Sequence, residues 1–75
     1  MESDKNLNKT LGEKIKAGRL MAGYTQEKLA EQIGVSRQAV TKWESDKGMP
    51  DIDNIKLISK LLNVSIDYLL DETRF

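Results

Sequence analysis

The sequence predicts an all-α fold, a compact domain of five short helices. Three observations carry that prediction. Apolar residues recur at helical spacing in five separate segments. Residues that cap helix starts (Thr10, Thr25, Ser36, Asp51 or Asp53, and Ser65) stand immediately before them. No segment shows the strict alternation of a half-buried strand.

Each helix can be justified in turn. Thr10-Leu-Gly-Glu13 has capping-box spacing, so the first helix is expected over about Leu11 to Ala22, with Leu11, Ile15 and Ala22 turned inward and Gly18 between them. Gly23 supplies its stop. Thr25 caps Gln26 to Ile33, whose inward residues are Leu29, Ala30 and Ile33. Gly34-Val35 breaks that helix, and Ser36 caps the next, Arg37 to Glu44 or Ser45. Asp46 to Pro50 reads as a loop, because Gly48 and Pro50 punctuate it. A fourth helix carries the stripe Ile55, Ile58, Leu61 and Leu62. After the turn Asn63-Val64-Ser65, the short segment Ile66 to Leu70 closes the fold. Residues 1–9 read as a polar arm, 10–71 as the domain and 72–75 as a tail.

Composition narrows the function classes. With 75 residues there is room for one core and little more. The chain has no Cys and no His, which removes disulfides, thiol chemistry, the commonest metal ligand and the usual near-neutral acid–base group. No phosphate-gripping Gly loop or paired-carboxylate constellation is present, so an enzyme is not expected, nor a metal or other cofactor. Asp46, Asp51 and Asp53 lack the spacing of a calcium loop and read as caps or solvated loop. No apolar run reaches the roughly 18–20 residues of a membrane span, and the polar start does not resemble a signal peptide. A cytoplasmic setting fits. Net charge is zero, yet residues 1–48 hold nine Lys/Arg against seven Asp/Glu, and Ser36 to Trp43 contains two bases and no acid. A small basic patch therefore survives the neutral total.

The segment Gln26 to Ser45 concentrates the information. Only about three residues join its two helices, which forces a steep crossing and demands a small residue at the contact, here Ala30, and a turn glycine, here Gly34. Val40 and Trp43 fall on the core side of the second helix. Its other side carries Arg37, Gln38, Thr41 and Lys42, the side-chain types that bond base edges and phosphates.

With Thr25-Gln26, Leu29-Ala30, Gly34-Val35-Ser36 and Val40-x-x-Trp43-Glu44, the chain resembles the lambda-repressor-like, Cro-type helix-turn-helix family, also called XRE. Pro50 and Leu62 to Leu70 resemble that family's closing helices, so the likeness spans about residues 10 to 71. It implies a five-helix domain that binds double-stranded DNA, usually as a homodimer on a two-fold operator, in a transcriptional regulator that is most simply a repressor. By position it implies base contacts from Arg37, Gln38, Thr41 and Lys42. Thr41 offers either a methyl to thymine or a hydroxyl to phosphate. Gln26, Ser36, Ser45 and Lys47 are the expected phosphate contacts. Arg19 and Glu44 match positions that form a positioning salt bridge in some members.

Departures from the family pattern lie elsewhere. Gly18 stands where many relatives carry an aliphatic residue, and Ser59 replaces a frequent small apolar one. Leu20, Met21 and Leu57 lie where relatives are often polar; as an exposed surface they would favour a second reading, a protein-binding adaptor or antitoxin-like partner with the same fold. Leu69, Leu70 and Phe75 either seal the core or form a patch shared between two subunits. No residue pattern specifies a small-molecule effector.

Overall fold

The computed structural model describes residues 9–70, which form five helices: α1 (Leu11–Ala22), α2 (Gln26–Ile33), α3 (Arg37–Glu44), α4 (Ile52–Leu62) and α5 (Ile66–Leu70). Each begins on the cap its sequence supplies. The Thr10 hydroxyl accepts the Glu13 amide at 3.1 Å while the Glu13 carboxylate accepts the Thr10 amide at 3.0 Å. Thr25 accepts from the Lys28 amide, Ser36 from Ala39, Asp51 from Asn54 and Ser65 from Tyr68, all within 3.1 Å. These bonds satisfy amides that the first turn of a helix leaves without partners.

The helix ends are equally local in origin. α2 stops at Gly34, whose φ of 91° is left-handed and whose amide donates to the Ala30 carbonyl at 2.8 Å. A Cβ at Gly34 would meet nothing within 4 Å, so the need for glycine there is purely one of backbone conformation. Gly34→Ala is therefore expected to lose about 1–2 kcal/mol in urea denaturation, with the fold retained. α4 ends on Asn63 at φ 58°, a residue type that tolerates the same region.

Ile15, Leu29, Ala30, Ile33, Val40, Trp43, Ile55, Ile58, Leu62 and Leu69 form the core, so every helix contributes at least one residue. One expectation needs correction, and one open alternative is decided. Ala22, the last residue of α1, is exposed, and Arg19 is the last buried residue of that helix. Leu69 is only 2% exposed and sits in the core, so it has no surface to offer a second subunit. Leu70 stays 37% exposed, and Phe75 lies outside the described residues. The missing side chain of Gly18 is made good from across the interface: an added Cβ would lie 3.1 Å from Leu62 Cδ1. Leu20 and Met21 are exposed, at 58% and 89%. Among the described residues, no helix is long and apolar enough to cross a membrane.

Candidate nucleic-acid interface

α3 is divided lengthwise. Val40 and Trp43, three residues apart, are buried, while Arg37, Gln38, Thr41 and Lys42 are exposed. Spacings of three and four put those four side chains on one helical face. Together they line a single shallow depression. Ala30, 2% exposed, gives α3 the clearance to cross α2 closely.

A hydrogen-bonded chain fixes how α3 sits. Arg19 of α1 donates from Nε to Glu44 Oε2 at 2.6 Å and from Nη2 to Glu44 Oε1 at 3.1 Å, while its Nη1 donates to the Tyr24 carbonyl at 2.9 Å. The two side chains are 8% and 4% exposed, so this is a buried, bidentate pair joining α1 to the last residue of α3. Gln26, at the start of α2, donates from Nε2 to Glu44 Oε1 at 2.9 Å. Its carbonyl Oε1 accepts the Thr41 hydroxyl at 3.0 Å. Three helices thus meet on one carboxylate.

A second tether escaped the sequence reading. Asp46, in the loop after α3 at φ 61°, accepts the Thr10 hydroxyl at 2.7 Å and the Gly12 amide at 3.0 Å. It serves as an extra cap for α1 from 34 residues away. Gly12 makes this possible: a Cβ there would lie 2.4 Å from the Trp43 carbonyl oxygen and 2.8 Å from that of Glu44. The sequence offered Asp46 only as a cap or solvated loop and Gly12 only as a place inside the capping box, with nothing to link the two.

The expected phosphate contacts divide. The Ser36 oxygen accepts from Ala39, which leaves its own proton to donate outward. Gln26 commits its carbonyl and one amide proton within the protein, keeping a second amide proton. Lys47 is exposed, and its backbone amide, donating to the Lys42 carbonyl at 2.9 Å, holds it beside the end of α3. Ser45 is engaged within its own helix. Its hydroxyl donates to the carbonyls of Thr41 at 2.9 Å and Lys42 at 3.2 Å and closes the helix.

Two short helices crossing at a tight turn, the second mounted by one face and presenting the other, define a helix-turn-helix domain. A helix-turn-helix family model matches residues 15–69, and the chain belongs to that family, in its lambda-repressor-like, XRE-type form. It is 52% identical over 58 residues to the HTH-type transcriptional activator BcrR of Enterococcus faecalis, covering 77% of this chain and 28% of BcrR. It is 41% identical over 61 residues to the HTH-type transcriptional regulator ImmR of Bacillus subtilis, covering 81% of this chain and 48% of ImmR. The chain therefore spans less than half the length of either relative. The crystal structure of the P22 c2 repressor in complex with a synthetic operator superposes with a TM-score of 0.81 at 36% identity, covering 85% of this chain and 97% of that one.

Proposed function

We propose that the chain is the DNA-reading domain of a transcriptional regulator and inserts α3 into the major groove of double-stranded DNA. The observation that carries this reading is the two-sidedness of α3, with Val40 and Trp43 seated in the core and Arg37, Gln38, Thr41 and Lys42 gathered outside. Similarity to a repressor crystallised on its operator supports it. Arg37 suits guanine O6 and N7, Gln38 suits adenine N6 and N7, and Lys42 reaches a guanine or a phosphate. The Ser36 hydroxyl, the second Gln26 amide proton and Lys47 hold phosphates on either side. Repression is the simplest outcome, because blocking a promoter needs only the bound domain. The chain works in the cytoplasm, on nucleoid DNA. As a homodimer, with Leu70 in the shared surface, it would set two α3 helices about 34 Å apart on a two-fold site.

Selection of bound duplexes from a random library, followed by gel shift, tests this function. A two-fold consensus is expected; no retardation of any duplex, even at low salt, would sink the reading. Arg37→Ala is expected to cost about 1–3 kcal/mol on the selected site and to relax choice at one base pair. Lys47→Ala should instead weaken all sequences alike and lower the salt slope by about 1. Equal losses on selected and scrambled duplexes for both variants would show that the reading face is misassigned.

Protein binding is the second reading, favoured by the exposure of Leu20, Met21 and Leu57, with Met21 lining an apolar recess beside Ala17, Gly18, Val64 and Tyr68. The same gel shift separates the two.

A further inference from the structure

We propose that Thr41 reads a thymine through its γ-methyl group, and that Gln26 holds it in that role. The inference rests on the DNA-reading function above and assigns one base of the site. A threonine on a reading helix has two ends, a hydroxyl that can bond a phosphate or base edge and a methyl that can pack on the C5-methyl of thymine. Donor and acceptor capacities, followed outward from the core, decide which end is offered.

The Arg19 guanidinium only donates and the Glu44 carboxylate only accepts. Gln26 must therefore present its NH2 group to Glu44, 2.9 Å away. Turning the amide round would set its carbonyl oxygen against a buried carboxylate. With the amide so fixed, the Gln26 carbonyl faces Thr41 at 3.0 Å, and only the hydroxyl proton can satisfy it. The same hydroxyl lies 3.1 Å from the Arg37 carbonyl, the acceptor four residues back that helical threonines use. One proton thus has two protein acceptors and none remains to donate to DNA. Phosphates and the O4 of thymine only accept, so what Thr41 has left to offer a thymine, on the patch it shares with Arg37, Gln38 and Lys42, is its methyl group.

Duplexes selected from a random library by the full chain supply the probe. Each thymine in turn is replaced by uracil, which removes only the C5-methyl, and binding is followed by fluorescence anisotropy. The unmodified chain is expected to lose about fourfold at one thymine, the free energy of one buried methyl. Thr41→Val keeps that sensitivity. Thr41→Ser, which keeps the hydroxyl and both of its bonds, abolishes it. Because each variant is compared with itself on two duplexes, a change in stability does not enter the ratio. The assignment is overturned if Thr41→Ser still distinguishes thymine from uracil, or if Thr41→Val weakens both duplexes alike while Thr41→Ser binds normally. A chain that selects no duplex overturns the DNA-reading function itself and this assignment with it. A chain that binds but shows no thymine dependent on Thr41 overturns the assignment alone.

Discussion

Glu44→Ala is expected to destabilise the domain by about 3–5 kcal/mol, measured by urea denaturation. The substitution leaves Arg19, 7% exposed, with its bond to the Tyr24 carbonyl but without a counter-charge, and strands a full positive charge away from water. It also removes the acceptor that orients the Gln26 amide. Against a total stability of about 5–15 kcal/mol for small domains, that is enough to populate unfolded chain. The charge, rather than the lost contact, is what makes the cost large. Arg19→Met combined with Glu44→Leu removes both charges and fills the space, so it should recover much of the loss, since well-packed apolar replacements of buried pairs are often tolerated. Salt should do little to the single variant, because the pair is sheltered from screening. A loss under about 1 kcal/mol, the range of exposed pairs, would show that this carboxylate does not lock α3.

Gly12→Ala is expected to cost about 3 kcal/mol, the upper end for overpacking, even though alanine is the better helix former by about 1 kcal/mol. Two of the three nearest atoms to the new methyl are backbone carbonyl oxygens, those of Trp43 and Glu44, and neither can rotate aside. The helices α1 and α3 must separate, loosening the Asp46 cap and tilting the reading helix. Thermal melting should show the loss of stability, and anisotropy on the selected duplex should show weaker binding by the chains still folded. Gly18→Ala is the control. Its Cβ would meet a leucine methyl at 3.1 Å, which can move, so the alanine gain should nearly offset the crowding. Equal melting temperatures for the two variants would refute the distinction between backbone and side-chain obstruction.

Much of the fold was legible because helix starts and stops are local. Thr10, Thr25, Ser36 and Asp51 each bond an amide three residues on, and Gly34 ends its helix by its own backbone conformation. Such interactions need no knowledge of the rest of the chain. The division of α3 was legible for the same reason, since periodicity alone separates Val40 and Trp43 from Arg37, Gln38, Thr41 and Lys42. Where one residue type suited two roles, geometry decided between them. Ser45 was offered to phosphate because a hydroxyl near a helix end suits either role, and only its geometry shows the proton turned back to Thr41 and Lys42. Leu69 fitted a core or a subunit interface equally well until the neighbouring helices buried it.

The sequence by itself determined the five helices, their caps, and which side of α3 faces outward, because these follow from contacts within about one helical turn. How that helix is held depends on the packing between helices. Asp46 reaches Gly12 across 34 residues and Gln26 meets Thr41 across 15, while the Arg19–Glu44 pair, 25 residues apart, was implied in the sequence only through the family resemblance. Bonds of that kind depend on the angles and distances at which helices pack, and those are set jointly by all the core side chains.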